Sequence, residues 1–149
     1  MKTAEGRIGR IFVLRLEHDD PLPRCIEAFA AENGIRLAQV MFHGGIYRGD
    51  LVAGPERTED SKPEPIVLPI REAHESSALG FIAPSADGSP ILHMHGNLGR
   101  KKETMSGCFQ KGVSVWLVGE AVVYEILSDS SIARILDKDA DLKLLDISD

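Results

Sequence analysis

The sequence predicts a domain of the α/β (α+β) class, built mainly from an antiparallel β-sheet with one or two helices, on three observations. Short apolar segments bounded by Gly, Pro and acidic turns recur along the chain. Only one stretch, residues 25–34, carries apolar residues at clear helical spacing. The longest extended pattern, Val113–Leu127, is rich in valine, as half-buried pleated surfaces favour.

Each element follows from local chemistry. In Arg7–Glu17, Ile11 and Val13 fall on one parity and Ile8, Phe12, Leu14 and Leu16 on the other, a strand buried on both sides in its middle. Asp19, Asp20 and two prolines stop it. Asp20 is placed to cap a following helix whose first turn accepts proline, with Cys25, Ile26, Phe29 and Ala30 on one face and Gly34 at its end. Cys25 then reads as core filler. Residues 35–42 form a second strand that reaches a Gly44-Gly45 turn, and residues 46–53 continue as a third. Residues 54–65 lack periodicity and read as an exposed loop. Residues 66–70 and 78–83 are strands separated by a polar turn over 71–77. Residues 86–90, Ala-Asp-Gly-Ser-Pro, are turn chemistry ahead of a strand over 91–98. In the strand over Val113–Leu127, Gly119 marks a bulge or bend. The tail, 132–147, is a short helix or two short strands around 137–141.

Length and composition narrow the function classes. At 149 residues, 43% hydrophobic and 27% charged, the chain is an ordinary single globular domain, residues 1–149. Its net charge of -6 opposes phosphate neutralisation by a basic face, although Arg100, Lys101 and Lys102 cluster locally. No apolar run approaches the ~20 residues that span a bilayer, and the first residues lack the apolar core of a signal peptide, so the expected location is the cytoplasm. Two widely separated cysteines in that compartment argue against a structural disulfide.

The segment Leu92-His93-Met94-His95-Gly96 carries the chemistry. Two imidazoles two positions apart on a strand point to one face, about 6.5 Å apart along the backbone, within reach of one ion. Cys108, in Ser106-Gly107-Cys108, supplies a third ligand if the intervening polar loop folds back, and Gly107 allows close backbone approach. His74 or Glu75 is the candidate proton-handling, catalytic group, with a fourth metal ligand and a surface turn residue as the other readings of His74. Glu75 or Glu120 could orient a ligating imidazole. The competing reading makes His93 and His95 half-exposed strand residues bonded to carboxylates, with Cys108 as filler. His43 reads as structural and His18 as solvated. No GxSxG, Walker or GxGxxG pattern is present, which sets aside the usual serine-hydrolase and nucleotide-site arguments.

The run Ile91-Leu92-His93-Met94-His95, a glycine-containing loop, Ser106-Gly107-Cys108, then Val115-Trp116-Leu117-Val118-Gly119-Glu120 through Tyr124-Glu125-Ile126 resembles the plant-and-prokaryote-conserved (PPC) domain family, in its free-standing prokaryotic form. The resemblance implies a compact, largely antiparallel domain assembled as a homotrimer, with a small-molecule site near the subunit interface. It also implies three histidines around a metal, zinc or another divalent transition metal, the third in a Gly-Gly-His segment. Here Cys108 stands at that third position, which changes charge and softness but keeps a ligand. Plant members join the domain to DNA-gripping AT-hooks. This sequence has no Arg-Gly-Arg-Pro hook, so DNA is not an expected partner. The fold is also similar to that of acetolactate decarboxylase, a likeness that confers no reaction. Two functional readings stand open: a metal-binding trimer acting on a small molecule, and a non-enzymatic regulatory or protein-interaction module.

Overall fold

The structure is a computed structural model that describes residues 1–60, 62–110 and 112–148. It contains β1 (Arg7–Glu17), β2 (Pro21–Leu22), α1 (Arg24–Glu32), β3 (Ala38–Pro55), β4 (Pro65–Ile70), β5 (His74–Pro84) and β6 (Pro90–Arg100). β7 (Glu103–Phe109), β8 (Val113–Leu127), β9 (Ser131–Asp137) and β10 (Leu142–Ser148) follow. The main sheet runs β1-β8-β3-β5-β6-β7, with β2 on β8 and β4 on β3. Its strand pairs are antiparallel, as expected from the alternating patterns.

Closure comes from the length of β3. Its first half pairs with β5 and β8, while its second half receives β7 through Leu51 opposite Phe109 and Val52 opposite Cys108. β3, β5, β6 and β7 therefore wrap into a ring, and only a strand this long can serve both ends. The sequence reading divided this segment at Gly44-Gly45. The chain instead runs straight through, because the glycines form an irregularity in the pairing rather than a reversal. The register against β8 jumps from Gly44 opposite Gly119 to Gly45 opposite Trp116. Gly44 has φ 144°, and a Cβ there would lie 2.7 Å from the Gly119 Cα.

Other boundaries also move. α1 begins at Arg24 with Pro23 in the N-cap position and no side-chain cap. Asp20 does not cap it; its carboxylate accepts the Glu17 N–H at 2.8 Å and tightens the turn after β1. The expected 71–77 turn is shorter, since β5 already begins at His74. Of the exposed 54–65 loop, Ser61 lies outside the described residues. The tail resolves into two strands, the β9–β10 hairpin.

The core lies inside the curved sheet and beneath α1. Leu22, Ile26, Ile46, Leu51, Ile82, Met94, Leu98 and Val123 are fully enclosed there. Cys25 packs against this cluster, and burial pushes its thiol up to about 11, in keeping with a filler role. Glu27 of α1 accepts the Leu92 N–H at 2.9 Å, tying the helix to the start of β6. A second small cluster, Leu37, Ala83 and Ile132, sits under β9 on the other side of the sheet. Among the described residues no helix is long and apolar enough to cross a membrane.

Candidate metal centre

β6 divides its side chains by strict alternation. Leu92, Met94 and Leu98 point inward and are buried, whereas His93, His95 and Asn97 point outward and are exposed. Between the two histidines and the Asn, Gly96 leaves room for the Phe109 ring, which a Cβ would meet at 2.5 Å. That contact holds β7 flat against β6. The hairpin between them turns at Lys101 and Lys102, so the polar loop foreseen in the sequence is mostly strand. Its register sets His95 directly opposite Cys108, with Gly107 admitting the Val52 carbonyl on the far side.

The result is a compact donor set. One ligand atom each from His93, His95 and Cys108 lies within 4.8 Å of the others. The two Nε2 atoms are 3.0 Å apart, and the rings meet edge to face with centroids 4.7 Å apart. Tetrahedral zinc, with bonds of about 2.0–2.1 Å to nitrogen and 2.3 Å to sulfur, places nitrogen donors roughly 3.3 Å apart and nitrogen and sulfur roughly 3.6 Å apart. The three donors fit such an ion with sub-ångström to ångström adjustments of side-chain rotamers.

Electrostatics of the site favour two states of unequal readiness. The His93 imidazole is held below its ordinary value, first by the crowding that desolvates its ring, then by Arg134 and by His95. It is therefore neutral near pH 7, as a metal ligand must be. Burial pushes the Cys108 thiol up, with Gln110 and Arg134 opposing, so a metal must displace its proton. Arg134 on β9 was not singled out from the sequence. It is only 6% exposed, and the signal was an arginine on the buried parity of β9, alternating with Ile132. Burial lowers its guanidinium's affinity for a proton.

The structure does not bring His74 and Glu75 to this centre within the chain. Leu79 pairs with His95, so His74 lies five residues farther along β5, roughly 16 Å at ~3.3 Å per residue. There Nδ1 of His74 meets the Glu72 carbonyl at 2.5 Å, and Glu75 faces Gly99 and Gly45. Glu120 is engaged elsewhere, 2.8 Å from Nε2 of His43. His18 stacks on Tyr47, and its Nδ1 accepts the Leu117 N–H at 3.2 Å. Both cysteines are free, as expected.

A row of cross-strand partners leads to the centre along the outer face of the sheet: Val13, Val122, Met41, Leu79, His95 and Cys108. Val13 is 80% exposed, Met41 47% and Leu79 59%, an apolar stripe that ends at the donor set.

Residues 3–127 match the family model of the Plants and Prokaryotes Conserved (PCC) domain. Among solved structures, the chain is similar to a metal-containing protein from Archaeoglobus fulgidus, with 27% identity and a TM-score of 0.82, covering 97% of this chain and 98% of that one. A plant- and prokaryote-conserved protein from Pyrococcus horikoshii shares the fold at 24% identity and a TM-score of 0.82, over 98% of this chain and 97% of its own. A protein from Bacteroides thetaiotaomicron described as DNA-binding shares it at 20% identity and a TM-score of 0.73, over 95% and 96%. No curated protein matches the chain.

Proposed function

This chain belongs to the Plants and Prokaryotes Conserved domain family, and we propose that within it the chain is a metal-binding domain whose ligands are His93, His95 and Cys108. The observation that carries the proposal is the convergence of three donors within 4.8 Å, two from one strand and one from the strand beside it. Two imidazoles and a thiolate form a borderline-soft set that suits zinc and neighbouring divalent transition metals. The metal-containing relative from Archaeoglobus fulgidus supports the same reading.

His93, His95 and Cys108 would hold such an ion with three protein ligands, and the ion would supply Lewis acidity to a small molecule that reached it. The chain's own residues do the rest. The pairing of β6 with β7 fixes the donors, His93 stays neutral, and Cys108 gives up a proton on loading. His74 and Glu75 stand too far along β5 to handle protons at this centre in one chain.

The apolar stripe Val13–Met41–Leu79 supports a homotrimer in which neighbouring copies cover the outer face and enclose the centre. The same stripe also favours the second reading, a regulatory module that docks another protein there. Direct DNA binding draws less support, because the chain is acidic and Arg100 of the basic cluster is paired with Glu72.

Metal analysis of protein purified without chelator tests the proposal. It expects about one equivalent per chain in the wild type and a near-complete loss in His93→Ala. Less than about a tenth of an equivalent, unchanged by that substitution, overturns it. Light scattering of the same samples reports whether three copies assemble.

A further inference from the structure

Arg134 lies on β9, beyond residues 3–127 that the family model covers. A parallel bridge to Ser85 anchors its backbone, and one guanidinium nitrogen donates to the Phe81 carbonyl at 3.1 Å. Phe81 is the residue directly opposite His93 across β5 and β6, so the guanidinium is delivered to the flank of the donor set. Arg134 is 94% enclosed, given its 6% exposure, yet its Nε has no hydrogen-bond partner. It is the one buried side-chain nitrogen or oxygen in that condition among the described residues. Nor does any carboxylate among them form a salt bridge with it. A buried cation with a spare donor and no counter-charge is costly, and such groups persist where an anion meets them.

We propose that Arg134 and the metal held by His93, His95 and Cys108 form one binding site for a small carboxylate, which completes the metal's coordination and accepts hydrogen bonds from the guanidinium. The inference rests on the metal reading above and adds the ligand class. Its charge logic is simple. A divalent ion with two neutral imidazoles and one thiolate keeps a positive charge, and the guanidinium adds another, so an anion is the species that neutralises the pocket. A planar carboxylate also matches the fork of a guanidinium better than a neutral amide does.

The test uses the full chain loaded with cobalt(II), whose visible bands report coordination. Acetate and oxalate are titrated against acetamide, with inorganic phosphate as a separate arm. The expected result is that both carboxylates shift the bands and acetamide does not. Arg134→Gln should weaken oxalate by about tenfold or more, while Arg134→Lys recovers part of the loss and both variants keep full cobalt loading. If wild-type protein takes up no cobalt, the metal reading falls and this site with it. If cobalt loads but acetamide acts as acetate does, or oxalate binds Arg134→Gln as tightly as wild type, the carboxylate site is overturned and the metal centre stands. Tighter binding of phosphate than of oxalate overturns the ligand class. Should Arg134→Gln fail to fold, the acetate-to-acetamide contrast in wild type and the Arg134→Lys titration still decide.

Discussion

His43 and the His93–His95 pair sit on the same outer face of the same sheet, yet their surroundings give them different chemistry. His43 is directly across from Glu120, and the two side chains, 68% and 61% exposed, are hydrogen-bonded in water. The carboxylate occupies one nitrogen of that imidazole, and no second histidine or cysteine stands with it to form a donor set among the described residues. Among the described residues no carboxylate pairs with His93 or His95; the two rings meet each other, and the Cys108 sulfur lies with them. What separates a solvated histidine from a candidate ligand is therefore the residue across the strand, a glutamate in one case and a cysteine in the other.

The comparison breaks most sharply at the donors. Replacing His93 or Cys108 by alanine should lower metal affinity by more than about a hundredfold, beyond the 10–100-fold typical of losing an outer-shell partner. Competition with a chromophoric chelator measures it, and an unchanged affinity would make these side chains equivalent to His43.

Gly96→Ala tests the strand geometry. The new methyl would meet the Phe109 ring at 2.5 Å and push β7 from β6. Overpacking of this kind costs about 1–3 kcal/mol, read as a lower denaturant midpoint, and metal affinity should fall with it because His95 and Cys108 separate.

The proton on Cys108 sets the next effect. Its thiol is raised by burial, so it remains protonated through neutral pH, and affinity should rise about tenfold per pH unit between pH 6.5 and 8.5. His93 has the opposite sign. Desolvation lowers its imidazole's affinity for a proton, so it competes less with the metal across that window than an unperturbed histidine would. Chelator competition across pH checks the slope; a flat profile would mean that Cys108 is not a ligand.

The smallest effect is expected at the solvated pair. His43→Ala or Glu120→Gln should change stability by less than about 0.5 kcal/mol, because exposed polar pairs contribute little. Metal content should not move, and a loss there would erase the distinction between the two sites.

Much of this was legible in the residues. The two-residue spacing of His93 and His95 predicted that they share one face of a strand, and the valine-rich Val113–Leu127 strand has the bounds its pattern suggested. Gly107 beside Cys108 signalled a close approach, and the structure places the Val52 carbonyl there. The Gly44-Gly45 pair misled, since two adjacent glycines are the chemistry of a turn and also that of a bulge; only the facing residues of β8 choose between them. His74 and Glu75 seemed close to the donors in sequence, but strand register, not chain distance, determines what meets.

By itself the sequence determined which side chains share a face, because strand periodicity is a local property of the backbone. It thereby fixed the mainly antiparallel class and the pairing of two imidazoles. Only the tertiary structure decided that β7 returns against β3, that Cys108 stands opposite His95, and that a hairpin from the far end of the chain sets Arg134 beside them. Those contacts join residues far apart along the chain, and their register depends on packing between strands, which no local pattern encodes.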